Sequence, residues 1–197
     1  MRNLALGAIA CAGAAVLLWV VMPLMHNPPA PPPALEVVTS AHDVAIYGDE
    51  KFGKIVNDAL DLLKRKAPED YQFVIDQVRE FRLDPRSGTH VENGRCRVDL
   101  SMVTVGGSIT WTASVLVHEA NHNKIYREYI AANGQPTEDP YGGAEEELAC
   151  NALQLKTLER LNAPQYEIDH LRKQDGNHFD MDGDGDHDWD DYRLRDW

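Results

Sequence analysis

The chain has 197 residues, 43% of them apolar, and its 32 acidic against 19 basic side chains give a net charge of −13. That is enough chain for one core of ordinary size. With this acidic balance no Lys/Arg cluster suggests a nucleic-acid-binding surface, and that class is discounted.

The first element in chain order is a run of 22 almost wholly apolar residues, from Leu4 to Met25, preceded by Arg2 and the amino group. It is long enough to span a bilayer as a helix, and the position of the positive charge sets the N-terminus inside. Residues 1–26 are therefore expected to be a retained, single-pass signal anchor. The remainder is expected to be membrane-tethered outside the cytoplasm, in the periplasm or at the cell surface. Two alternatives are lipidation at Cys11, which follows Ala8, Ile9 and Ala10, and cleavage of the segment as a signal peptide. The run continues well past Cys11 and exceeds the usual apolar core of a cleaved signal. Pro28, Pro29, Pro31, Pro32 and Pro33 then make residues 27–35 a semi-rigid polyproline II spacer.

Residues 36–174 read as one domain without internal repeats. Phe52, Ile55, Val56, Ala59, Leu60 and Leu63 recur at helical spacing. Pro68 opens a second helix with Tyr71, Val74, Ile75 and Val78 on its inner face. Residues 98–105 alternate and are rich in β-formers, so they read as a strand. Gly106 and Gly107 read as a hairpin turn, and residues 108–111 as the returning strand.

A helix is then expected from a cap at Thr112 or Ser114 to about Tyr129, with no Gly or Pro in between. It carries His118-Glu119-Ala120-Asn121-His122, an HExxH motif. Four residues apart on a helix, two neutral imidazoles share one face and can grip one Zn²⁺. Glu119 is then placed to act as the general base toward an activated water. A core helix with two incidental histidines is the plainer alternative, but burying Glu and two His among apolar residues is costly without a partner.

A tetrahedral catalytic zinc needs a third protein ligand and one open position. Leu148, Ala152, Leu155 and Leu158 form an apolar stripe, so a second helix is expected over about residues 144–161, stopped by Asn162, Ala163 and Pro164. Its first turn offers Glu145, Glu146 and Glu147, although acidic residues at a helix start also suit the macrodipole.

An HExxH helix, a loop and a second helix carrying Glu resemble the gluzincin branch of zinc metallopeptidases. The Glu-x-x-Ala of that branch matches Glu146-Glu147-Leu148-Ala149. The resemblance covers about residues 98–161. It implies an α+β, zincin-like fold, with a small β-hairpin or sheet packed on the HExxH helix and on the second, Glu-bearing helix. It also implies Zn²⁺ on His118, His122 and Glu146, with Glu145 and Glu147 as the alternatives to Glu146. Glu119 is then the catalytic base, and an edge strand pairs with an extended peptide or protein substrate. An oxyanion donor is also expected, with Tyr126, Tyr141, Tyr166 and His170 as candidates. The residues after His122 lack the Gly and third His of HExxHxxGxxH, which excludes the Met-turn branch. The expected function is a membrane-tethered, extracytoplasmic zinc metallopeptidase. The alternatives are a zinc-binding but non-catalytic envelope scaffold and a calcium-responsive interaction protein.

Cys96 and Cys150 are expected to pair as a disulfide outside the cytoplasm, pinning the Glu helix to the sheet. Two free core thiols are the alternative, with Cys150 as a zinc ligand a further one. Residues 175–197 hold nine Asp against two Arg, a net of −7, leaving −6 for the rest of the chain. Within this tail, Asp180, Asp182, Asp184, Asp188 and Asp191 occupy positions 1, 3, 5, 9 and 12 of a twelve-residue, EF-hand-like Ca²⁺ loop. Gly185 falls at the sharp turn, and Asp186 stands where a backbone carbonyl serves. Asp191 in place of Glu and His187 in the usually apolar position depart from the pattern. Phe179, Trp189, Tyr192, Leu194 and Trp197 argue against a purely disordered tail.

Overall fold

The structure is a computed structural model, and it describes residues 37–38, 40–134, 143–177 and 182–183. The apolar run of residues 4–25 and the proline spacer lie outside the described residues. Among the described residues no helix is long and apolar enough to cross a membrane.

The fold is α+β, with one small mixed sheet. Its strands are β1 (Val37–Val38), β2 (Ala45–Tyr47), β3 (Val78–Leu83), β4 (Gly88–His90) and β5 (Cys96–Leu100), in the order β1-β2-β3-β5-β4. β2, β3 and β5 run parallel, and β1 and β4 are antiparallel edges. The β2–β3 crossover is made by helices α1 (Glu50–Lys66) and α2 (Pro68–Gln77). The Asp49 carboxylate caps α1 by accepting from the Phe52 N–H at 2.7 Å. Glu50 in its first turn and Lys64, Arg65 and Lys66 in its last suit the helix dipole. Phe52, Val56, Ala59, Leu60 and Leu63 are buried, as their spacing predicts.

The expected hairpin does not form. Only the first half of residues 98–105 is strand; Met102–Val105 is a short helix, α3, capped by Ser101, whose hydroxyl accepts from the Thr104 N–H. Gly106 closes α3 in a right-handed helical conformation, so the Gly pair turns one helix into the next. Ser108 then accepts from the Trp111 N–H and caps α4 (Ile109–Asn133), four residues before the expected cap at Thr112. Thr112 instead places its hydroxyl 2.9 Å from the Val105 carbonyl. The role of edge hairpin passes to β4 and β5.

α4 has 25 residues, roughly 37 Å of helix. Residues 112–121 are buried without interruption, because α1, α2, α5 (Ala144–Leu161) and the sheet enclose that half. Ala113, Leu116, Val117 and Ala120 join Ile46, Phe81, Val98 and Leu100 in the core. α5 ends at Asn162, in the left-handed region at φ 54°, just before Pro164. α6 (Gln165–Leu171) follows and packs Ile168 and Leu171 against Leu158.

Candidate metal centre

The HExxH motif lies on α4, where the helix passes from the core toward its exposed end. His118 and His122, one turn apart, stack edge-on with ring centroids 5.0 Å apart. Their Nε2 atoms approach to 3.2 Å. The start of α5 faces them. Glu147 sets one carboxylate oxygen 3.2 Å from His118 Nε2 and the other 3.5 Å from His122 Nε2. Glu146 sits behind the ring, with Oε1 2.7 Å from His122 Nδ1. Of the three expected candidates, then, Glu147 faces both Nε2 atoms, Glu146 holds the opposite edge of His122, and Glu145 is exposed.

Cys150 lies one turn further along α5, buried, and the Asn121 amide donates to its sulfur at 3.5 Å. His118, His122 and Cys150 each offer a ligand atom within 4.8 Å of the others, so the group can hold a metal ion. A tetrahedral Zn²⁺ with bonds of about 2.0–2.2 Å to N and O separates its ligand atoms by roughly 3.3 Å. The 3.2 Å between the two Nε2 atoms fits that shell, and Glu147 brings a different oxygen near each of them, Oε2 to His118 at 3.2 Å and Oε1 to His122 at 3.5 Å. The contact with Glu146 fits as well. A carboxylate on Nδ1 fixes the tautomer that leaves the Nε2 lone pair free for a metal.

The charges respond to this crowding. Burial works to lower the His122 pKa, but its hydrogen bonds to Cys150 and Glu146 and the charge of Glu147 outweigh it, so the group is raised well above 6.5. Burial pushes the Cys150 thiol up, against the hydrogen bonds from His122 and Asn121.

The expected Cys96–Cys150 disulfide is absent: both thiols are free and buried. Helix α4 explains this. Cys96 sits at the start of β5, where Glu119, Glu92 and Arg79 are its charged neighbours, whereas Cys150 packs on Asn121 and His122. The two thiols therefore belong to different flanks of one helix. Burial, reinforced by Glu119, pushes the Cys96 thiol up to about 12.

Glu119 is buried on the sheet side of the motif. The Thr89 hydroxyl, from β4, lies 2.7 Å from Glu119 Oε2 and 3.0 Å from its carbonyl oxygen. Thr89 and Asn121 therefore support the motif, and sequence pattern alone gave no sign of either. A single Thr or Asn has no periodicity to mark it.

Of the expected oxyanion donors, Tyr126 lies on α4 one turn beyond His122, and Tyr141 lies outside the described residues. Tyr166 and His170 line a separate pocket of about 670 Å³ between α3, the start of α4 and α6. There the buried Glu167 accepts from the hydroxyls of Ser108, Thr110 and Tyr166. Thr110 is eight residues before His118, roughly 12 Å along the helix. Of the expected calcium ligands, Asp180, Asp184, Asp186, Asp188 and Asp191 lie outside the described residues. Asp182 and Gly183 are described, and Gly183 has φ 80°.

Comparison of the chain with protein-family models, with curated proteins and with solved structures gave no match. The site is therefore read from its own geometry.

Proposed function

We propose that this protein is a zinc-dependent hydrolase of peptide bonds, with Zn²⁺ held by His118, His122 and Glu147. One observation carries the reading: two Nε2 atoms on one helix stand 3.2 Å apart, the edge of a tetrahedral zinc shell, and the Glu147 carboxylate of another helix faces both of them. An ion so held polarises a scissile carbonyl and makes water acidic enough to deprotonate near neutral pH.

The remaining work falls to side chains. Glu119 is the general base, taking a proton from water and handing it to the leaving amine. Thr89 anchors one of its carboxylate oxygens, which leaves the other to carry the proton. Glu146 holds His122 in its ligating orientation from the far edge of the ring. β4, which carries Thr89, is an edge strand three residues long, to which an extended peptide can add through backbone hydrogen bonds. We further read the chain as tethered through residues 1–26 outside the cytoplasm, with the acidic tail taking Ca²⁺. Both readings rest on sequence pattern.

Metal analysis should find about one zinc per chain, lost in His118→Ala. Glu119→Gln should keep the zinc and lose hydrolysis of a broad peptide library. A second reading, a non-catalytic zinc scaffold, is favoured by the nearness of Cys150, because a fourth protein ligand closes the open position that catalysis needs. Identical behaviour of wild type and Glu119→Gln on the library would decide for the scaffold.

A further inference from the structure

Cys150 is the one strong metal ligand in the cluster that the hydrolytic reading leaves unused. Thiolate binds zinc more avidly than carboxylate does, at about 2.3 Å. With a nitrogen ligand at about 2.05 Å, that bond puts sulfur and nitrogen roughly 3.6 Å apart in a tetrahedral shell. The Cys150 sulfur is already within 4.8 Å of a ring nitrogen of each histidine. Closing from that upper bound to about 3.6 Å takes at most about 1.2 Å in each sulfur–nitrogen distance. Cys150 sits three residues after Glu147, so both project from the same side of α5 toward His122.

Access to the centre is narrow. The side chains of His118, His122 and Glu147 are only 9, 12 and 13% exposed, and Cys150 is fully buried. The Asn121 amide, 3.5 Å from the sulfur, gives the thiol a second resting place off the metal.

We propose that Cys150 is the fourth donor of the centre, so that the resting protein holds its metal in a closed shell of two His, Glu147 and Cys150. A position for water then opens only when the sulfur withdraws toward Asn121. The centre is on this view a thiol-gated hydrolase. The inference rests on the metal reading above.

Zinc-edge X-ray absorption of the full, zinc-loaded chain tests it without any substitution. One sulfur scatterer at about 2.3 Å is expected beside nitrogen and oxygen. A shell of nitrogen and oxygen alone, in a chain that still loses its zinc in His118→Ala, overturns the gate and leaves the metal reading standing. Failure of the wild type to retain zinc overturns both. Cobalt supplies a second readout: the Co²⁺-loaded wild type should show a sulfur-to-cobalt charge-transfer band that is absent from Cys150→Ala. Cys150→Ala should also hydrolyse peptides several-fold faster than wild type, and equal rates would end the gating role.

Discussion

Glu146 and Glu147 are neighbours in sequence but address opposite edges of the same imidazole. The Glu-x-x-Ala pattern favoured Glu146; the helical turn brings Glu147 to the two Nε2 atoms instead. A pattern fixes which turn of a helix carries the acid, but one residue rotates the side chain by about 100° around the axis, and only packing settles that. Glu147→Ala should therefore abolish stoichiometric zinc binding. Glu146→Gln should weaken it by roughly 10–100-fold, as loss of an orienting carboxylate does. Competition with a chromogenic chelator separates the two, and the reverse order would assign the ligand role to Glu146. The thiols give a second test. Cys96 and Cys150 are free and buried, with raised pKa values. In a Cys11→Ser background, neither should react with a thiol reagent at pH 8 until denaturant is added, when two should appear. A disulfide would leave the denatured count at zero. His42 supplies the pH dependence. Burial lowers its pKa, although Asp61, 3.6 Å away, works to raise it. The unfolded chain thus binds a proton that the folded one resists. The His42 contribution should be complete above about pH 6.5, the ordinary His value, and fall as the pH drops below it toward the lowered folded value. His42→Gln should flatten that slope in chemical denaturation run across pH 7 to 5.

At the scale of elements, the helices were legible and most of the sheet was not. α1 and α2 carry apolar stripes at a 3.6-residue period, with Pro68 opening α2. The bounds of α5 were legible from Asn162, Ala163 and Pro164, but its inner face was not: Leu148 and Ala152 of the expected stripe are exposed, and Cys150, Asn151, Gln154, Thr157, Leu158 and Leu161 are buried instead. The strands are short, and β2 and β4 have three residues each, too few for alternation to register. The failed hairpin has a clear cause. Residues 102–105 are β-branched or flexible apolar residues that suit a strand by propensity, but Ser101 and Ser108 both cap helices. Those capping bonds, together with burial of Thr104 and Val105, prevail over a weak intrinsic preference. Helix-to-helix contacts were equally invisible. Asp70 on α2 accepts from the Thr157 hydroxyl at 3.0 Å and from the Arg160 guanidinium, both on α5. This ties the α5 helix to the far side of the core. Asp70→Ala should cost about 1–3 kcal/mol, the range for losing a buried hydrogen-bonding partner. It should appear as a lower urea midpoint at unchanged slope. Arg160 is half-exposed and can return to water, so a larger loss would point to a wider rearrangement.

Among the described residues, α4 is the axis on which the sheet, the α1–α2 pair and α5 all pack, and the candidate metal centre lies where that axis leaves the core. Gly143 at the N-terminus of α5 provides no side-chain cap, and Glu145, Leu148 and Ala149 are exposed. On the proposed reading, a metal clasped between His118, His122 and Glu147 links α4 to the first turns of α5. On the same reading zinc binds the folded chain, in which those ligands converge, far better than the unfolded one. At a free concentration 100 times the Kd this stabilises by about 2.7 kcal/mol. For a domain of this size, with 2–4 °C per kcal/mol, chelation should lower the Tm by roughly 5–10 °C. His118→Ala should melt at the chelated temperature whether or not zinc is present. Hydrogen exchange should locate the effect. The Glu147 amide, bonded to the Gly143 carbonyl at 3.1 Å, should exchange more slowly with zinc, while the Val56 and Leu60 amides in α1 should change little. Calcium added to the zinc-saturated protein should raise the Tm separately, and Asp180→Ala with Asp184→Ala should remove only that increment. A zinc effect spread evenly over every helix, or none at α5, would mean that the ion is not what joins these two elements.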